Sequence, residues 1–475
     1  MSFSTTPSST SQFDNVLAPF FQADGLAFAD VLTADVIAQA FADEQVSFGQ
    51  KAHSFWTPAL TLWTFLSQVL DDGSKSCRAA VARAVVAMAL TRPLPEYDTG
   101  NYCRARAKLP TSVLCRLTLH VAVALEKEAL DSWLWHGRHV FLADGFTASM
   151  PDTEDNQKAY PQPKTQKPGL GFPLIRFVVL LSLATAACHG LDWGPYQGKE
   201  TGEPALFRRL LDHLEPGALV LGDRFYCSYF LLALLRVRGV DVVTRLHQAR
   251  IKTFRRSRNV DQDDRLVIWS KPEQPDWMDD ETYAAMPETI EVRYLYQRIN
   301  IPGFRVKHLH VITTLLDTEA YAHEDVVDLY HQRWHVELDI RSIKSTLKMD
   351  VLRCLTPFMI EKEIWAHFLG YNLIRKVAAQ AALLRGVCPR AISFAASQQT
   401  VLGAWSKLTE ATPEERGQLA GALLAALGKE KVGHRPNRCE PRAIKRRPKK
   451  QKLLMKPRKQ AQAELLAGRG AKDDQ

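Results

Sequence analysis

Paired cysteines, long apolar runs and a secretory leader are all missing from this chain of 475 residues. Its eight cysteines (Cys77, Cys103, Cys115, Cys188, Cys227, Cys354, Cys388 and Cys439) are scattered, with no CxxC or CxxH pair. That spacing argues against a disulfide framework and a cysteine zinc module, and suits a reducing compartment. The longest apolar run, Phe177–Cys188, is too short to span a bilayer and reads as a buried strand, so no membrane partner is expected. The first residues, MSFSTTPSSTSQFDN, have neither the basic nor the apolar region of a secretory signal. Residues 1–12 are expected to be disordered, and the protein to be cytoplasmic.

What is present is the composition of a soluble globular protein, 46% apolar and 24% charged, with room for two or more domains. The net charge of +9 is concentrated. Between Arg435 and Lys459 lie 12 of the 61 bases and one of the 52 acids, Glu440, so the rest of the chain carries 49 bases against 51 acids. A run such as KRRPKKQK, interrupted by Pro448 and followed by Pro457, cannot bury itself and is expected to be extended. It suits a nucleic-acid clamp acting through phosphate contacts; the alternatives are a solubilising tail or a localisation signal.

From about Phe13 to Glu128 the patterns are helical, with breaks at Gly73 and Pro93–Gly100. Here NYCRARAKLP gathers Arg104, Arg106 and Lys108 beside Tyr102, which reads as a basic, aromatic DNA-binding patch or as a solvated helix terminus. The rhythm then changes to an α/β alternation. HVFLAD is an apolar strand ending in Asp144, and ALVLGD repeats the pattern and ends in Asp223. LIRFVVLLSLATAAC is long enough for a strand or a bent pair; YFLLALLRVRG reads as a helix and VDVVTRL as another strand. A basic stretch follows, with Arg250, Lys252, Arg255, Arg256 and Arg258 as secondary backbone-contact candidates, then two strand-like segments up to Leu316. A mainly β insertion fits this region better than one long loop.

The organising stretch is the next one, predicted to be a single amphipathic helix. Val326, Leu329, Val336, Ile340, Ile343 and Leu347 form an apolar stripe. Tyr330, Arg333, Glu337, Arg341, Lys344 and Lys348 form a polar one beside it. That sets a single carboxylate among four cations, which could equally be a charged face with an i, i+4 ion pair. The upstream aspartates change the balance. Adjacent parallel strands lie about 4.8 Å apart, close enough for two strand-end carboxylates to share a hard cation. A third carboxylate on a helix across the strand ends completes a site for two Mg²⁺ ions about 3.5–4 Å apart, suited to in-line phosphoryl displacement. Arg333, Lys344, Arg341 and Lys348 are then placed to hold the phosphates of the strand being cut.

Taken together, these residues resemble the DDE transposases of bacterial insertion sequences, specifically insertion sequence family four. The hallmark of that group is Tyr, two residues, Arg, three residues, Glu, six residues, Lys, and it stands here as Tyr330, Arg333, Glu337 and Lys344. LADGF with Asp144, LGDRFYCS with Asp223, NYCRARAKLP and the PRAIKRRPKKQK tail are also similar to family sequence, the likeness thinning over residues 1–50 and 250–300. The resemblance implies a ribonuclease H-like mixed-sheet catalytic core over residues 131–246 and 318–385, with a β-rich insertion domain at 247–317. An N-terminal helical domain at 1–130, a helical region at 386–430 and a basic tail at 431–475 complete the expected organisation. It implies that Asp144, Asp223 and Glu337 are metal ligands for Mg²⁺, with Mn²⁺ substituting, two ions per site. Tyr330, Arg333 and Lys344 are implied to contact the transposon end. The implied partners are double-stranded DNA (terminal inverted repeats and target) and a second copy of the chain in a synaptic homodimer. Relatives stack a flipped base on an insertion-domain aromatic; Trp269 and Trp277 are candidates, with core packing as the alternative. Two rivals stay open: a structure-selective nuclease on the same core, and a domesticated DNA-binding protein without catalysis.

Overall fold

The computed structural model describes residues 31–49, 54–88, 98–247, 250, 263–299, 307–432 and 454–467. Five helices come first: α1 (Ala34–Asp43), α2 (Pro58–Leu70), α3 (Cys77–Met88), α4 (Thr99–Lys108) and α5 (Thr111–Lys127). Their starts follow local chemistry. Thr57 caps α2 through the Leu60 amide with Pro58 in its first turn, and Asp98 caps α4 through the Gly100 and Asn101 amides. Apolar on nearly every side, α2 is buried from Leu60 to Leu70.

Eight strands form one mixed sheet: β1 (Val140–Ser149), β2 (Leu174–Ser182), β3 (Cys188–Pro195), β4 (Leu219–Gly222), β5 (Asp241–Arg245), β6 (Asp264–Ser270), β7 (Thr289–Arg298) and β8 (His308–Thr313). Their order is β3-β2-β1-β4-β5-β8-β7-β6. β1, β4 and β5 are parallel, whereas β2, β3 and β6–β8 join through antiparallel pairs. Short helices α6 (Glu154–Ala159), α7 (Glu203–Arg208), α8 (Tyr229–Val237) and α9 (Asp280–Ala285) fill the connections. The long apolar stretch from Leu174 to Cys188 is the bent pair, turning between β2 and β3.

One expectation needs correction here. The first strand does not end at Asp144. β2 pairs with it as far as Ser149, while β4 stops at the Leu142–Leu221 pair, so the aspartate sits mid-strand where one neighbour departs. The segment expected as a β-rich insertion domain carries β6–β8, and β8 hydrogen-bonds the free edge of β5, so these strands extend the core sheet.

The predicted single helix from Tyr330 to Lys344 is likewise broken. α10 (His323–Gln332) closes at Arg333–Trp334, α11 (His335–Arg341) restarts, and Ser342–Thr346 forms a π turn. Tight three-residue hydrogen bonds, Arg333 N to Tyr330 O and Glu337 N to Trp334 O, make the joint. The apolar stripe survives it, with Val326, Leu329, Val336, Ile343 and Leu347 all buried. Beneath lies α12 (Pro357–Arg385), buried over most of its length against α2, α5, α13 (Phe394–Glu410) and α14 (Pro413–Leu427). Within the tail expected to be extended, Arg458–Leu466 forms α15, its helix formers supported by ion pairing of Lys456 with Glu464; residues 433–453 lie outside the described ones. Among the described residues no single helix is long and apolar enough to cross a membrane.

Candidate active site

The parallel register between β1 and β4 decides the geometry. The pairing ends at Leu142 opposite Leu221, and Asp144 and Asp223 each follow two residues later, just past that end, near enough for Asp223 to push the Asp144 carboxyl up. Tyr330 and Val336 pack against these strands, since Val140, Leu142, Leu219 and Leu221 share their core. Asp144 accepts the Gly145 amide at 2.8 Å, and Asp223 accepts the Phe225 amide at 2.7 Å in a tight turn. The Thr244 hydroxyl donates to the Asp223 carbonyl at 2.7 Å and ties that turn to β5.

Glu337 enters from the first turn of α11. Arg333 joins the set, with Nη2 3.1 Å from Glu337 Oε1 and Nη1 3.7 Å from Asp144 Oδ2. Burial pushes the Asp144 carboxyl up to about 6; the Gly145 amide and Arg333 pull it down, while Asp223 and Glu203 push it further up. Tyr330 is buried at the end of α10, and that burial raises its phenol to about 12. Lys344, on the π turn, holds its ammonium 5.9 Å over the ring of Phe146, two residues along β1 from Asp144.

The donor set is all carboxylate oxygen, the kind a hard divalent cation takes. In this arrangement Arg333 supplies the positive charge between Asp144 and Glu337. Among the described residues no group of three or more Asp, Glu, His or Cys side chains is gathered closely enough to hold a metal ion. Binding one across all three carboxylates therefore requires Arg333 to give way.

Residues 135–373 match the family described as "Transposase DDE domain", half of the chain. The chain belongs to the DDE transposases, of the insertion sequence family four type. It is 27% identical over 318 residues to transposase InsG for insertion sequence element IS4 of Escherichia coli K12, covering 66% of this chain and 69% of that one. A shorter stretch of 67 residues is 37% identical to the putative transposase InsL of element IS186A from the same strain, covering 14% and 18% of the two chains. Among solved structures, the piggyBac transposase synaptic complex with hairpin DNA aligns over 89% of this chain and 86% of that one, at 9% identity and a TM-score of 0.41.

The other predicted positions of the transposase divide. Arg104 and Lys108 are exposed on α4, but Arg106 turns inward. It is buried over the rings of Phe65 (4.9 Å) and Tyr102 (5.4 Å) and donates to Gln68 Oε1, so the expectation that it binds DNA is corrected: alternate residues of one short helix cannot all face outward. Arg341 is exposed and lines a cavity with Asp339, Arg375 and Arg390, away from the three carboxylates. Lys348, in a left-handed conformation (φ +52°), donates to the Asp72 carbonyl instead of facing the site. Lys75 answers from the same loop, reaching the Leu347 carbonyl at 2.5 Å. Arg250 folds back over Trp269, 5.0 Å from its ring, and donates to Cys227 O. Lys252, Arg255, Arg256 and Arg258 lie outside the described residues. Trp269 and Trp277 are both half-buried against the core around α8, and Arg208 covers Trp277 at 3.7 Å.

Sequence reasoning missed Asp339. Two residues from Glu337 and pointing inward, it is buried between Arg375 Nη2 (2.7 Å) and Arg390 Nη1 (2.8 Å). Nothing in the sequence spacing marks it, because its partners are 36 and 51 residues away.

Proposed function

We propose that this transposase binds the terminal inverted repeats of its own element, cleaves them and joins the ends to target DNA, with Asp144, Asp223 and Glu337 as its metal ligands. One observation supports the reading: the β1–β4 pairing ends two residues before each aspartate, and Arg333 contacts both Asp144 and Glu337. The core is read as ribonuclease H-like, with the antiparallel β1–β3 meander beside the parallel β4 and β5 supporting it. The domain limits proposed from the sequence stand as working boundaries, with the insertion continuing the same sheet.

The family works with divalent metal ions; here two Mg²⁺ ions are proposed, with Mn²⁺ able to substitute. Such ions, when bound, make a water or 3′-hydroxyl nucleophilic and neutralise the leaving oxygen. The chain's own groups do the positioning. Arg333, released from the carboxylates, and Lys344 offer cations to the phosphates flanking the scissile bond. Buried Tyr330 lies close enough to Arg333 for the guanidinium charge to act on its phenol. Asp223 is held by its turn, so its carboxylate needs little reorganisation as charge develops. Arg104 and Lys108 are proposed to contact the DNA backbone, and the reaction to occur in a homodimer in the cytoplasm.

The test is cleavage of a labelled duplex carrying the terminal repeat, with Mg²⁺, comparing wild type with Glu337→Ala. Cutting at the repeat end that is lost in the variant is the expected result. Repeat binding without cutting in either metal would favour a domesticated binding protein. Cutting that ignores the repeat and persists in the variant would remove Glu337 from the site.

A further inference from the structure

Two cysteines of the helical domain meet where α3 and α4 pack together. Cys77 is the first residue of α3 and Cys103 stands in the middle of α4, and their sulfurs are 3.7 Å apart. A disulfide bond is about 2.05 Å long, so only a short approach separates the pair from one. The contact belongs to the packed domain, because Ala80, Val81, Val85 and Tyr102 form a buried cluster between the two helices and Cys77 packs against it.

The surroundings distinguish the two sulfurs. Gln68 on α2 has its Oε1 taken by the Tyr102 hydroxyl at 2.8 Å and by Arg106 Nη1 at 3.1 Å. Its amide nitrogen is therefore the end turned to Cys77, 3.7 Å from the sulfur. The Cys103 thiol donates to the same sulfur, which sits in the first turn of α3, where the helix dipole also favours an anion. The Cys103 hydrogen bond does most to hold the Cys77 thiol down at about 6; burial opposes it, and Arg106 and Gln68 reinforce it. The same hydrogen bond, with burial, pushes Cys103 up. At neutral pH a thiolate thus lies beside a thiol.

Access is present as well. Both residues are half-buried, and Cys77 lines a cavity of about 200 Å³ with Gln68, Ser76, Arg106 and Arg353. A water molecule occupies roughly 30 Å³ of liquid, so the cavity has room for a small oxidant.

We propose that Cys77 and Cys103 are an oxidation site, at which Cys77 attacks hydrogen peroxide and Cys103 resolves the product into a disulfide joining α3 to α4. In the first step the Cys77 sulfur bonds to one peroxide oxygen and the O–O bond breaks. The leaving hydroxide takes a proton and departs as water, and a sulfenic acid remains. In the second, the Cys103 sulfur attacks the Cys77 sulfur, the S–O bond breaks, and hydroxide leaves with the Cys103 proton as a second water. Two thiols are oxidised by two electrons and one peroxide is reduced to two waters. The bond ties α4, which carries the exposed Arg104 and Lys108, to the start of α3.

The test exposes the reduced full chain, freed of reductant, to a slight excess of hydrogen peroxide. Peptide mass spectrometry is expected to find the Cys77–Cys103 disulfide as the main product, lost again on adding dithiothreitol. In Cys103→Ala, confirmed folded by circular dichroism, a sulfenic acid should accumulate at Cys77 and be trapped by dimedone. Alkylation by iodoacetamide gives a second readout: its rate at Cys77 should be half-maximal near pH 6 in wild type. In Cys103→Ala the midpoint should rise towards the value of about 8.5 of a free thiol, because the donor is gone. A wild-type midpoint already at that free value would overturn the proposal. So would peroxide treatment that leaves both thiols intact, or that joins Cys77 to Cys354 of the same cavity. Wild type alone decides these outcomes, whether or not the variant folds.

Discussion

Arg333 and Asp144, 189 residues apart in sequence, face each other at 3.7 Å, and the same guanidinium lies 3.1 Å from Glu337. One arginine thus holds the position between two of the three acids proposed as metal ligands. It stands in for part of the charge that cations would bring, and it must be displaced for all three to share one.

Replacing Arg333 by alanine should therefore separate metal binding from catalysis. Mn²⁺ affinity is expected to rise by roughly threefold, the scale of a partly exposed ion pair. Repeat cleavage is expected to fall about 100-fold or more, as when one charge-stabilising donor is removed from an active site. Titration of Mn²⁺ alongside single-turnover cleavage checks both directions.

Asp144, as a proposed metal ligand, is expected to make metal binding sensitive to pH. With its carboxyl at about 6 against an ordinary 3.8, the folded protein keeps a proton that the unfolded chain has released between those values. This group therefore makes the metal-free protein more stable as pH falls from 7 towards 4. Metal must expel that proton, so Mn²⁺ affinity should drop about tenfold per pH unit below 6. Calorimetric titration over pH 4.5–7.5 tests it, and a profile without that drop would remove Asp144 from the ligand set.

Asp339 is expected to act on stability first. Its substitution by alanine leaves Arg375 and Arg390 buried without their counter-charge, an expected loss of about 3–5 kcal/mol. Urea unfolding measures this. A variant as stable as wild type would show that the two arginines find other partners, such as the Ser182 and Leu183 carbonyls that Arg390 already reaches.

The α4 cations should divide by direction. Removing Arg104 and Lys108 is predicted to weaken repeat binding and to lower the salt slope by about 0.9 per lost phosphate contact. Arg106→Ala should instead lower stability, by about 2 kcal/mol for the buried ring and hydrogen-bond contacts. Binding isotherms at several salt concentrations, paired with thermal melts, distinguish the two.

The sequence alone determined the elements whose signals are local. The apolar strand before Asp223 and the buried stripe of Val326, Leu329, Val336 and Ile343 follow from periodicity, and the family follows from four residues at set spacing. The direction of side chains within those elements was not legible. Arg106 and Lys348 look like their exposed neighbours in sequence, and only packing against Phe65 or the reach of Asp72 turns them away from a ligand. The break at Arg333–Trp334 was invisible for the same reason, because the helical pattern continues through it. Tertiary structure also decided where β1 ends, since strand length depends on how far each neighbour pairs. It decided that Glu203 lies against Gly145, through a glycine that leaves room. Such relationships depend on which distant surfaces meet, and a chain read one window at a time carries no record of them.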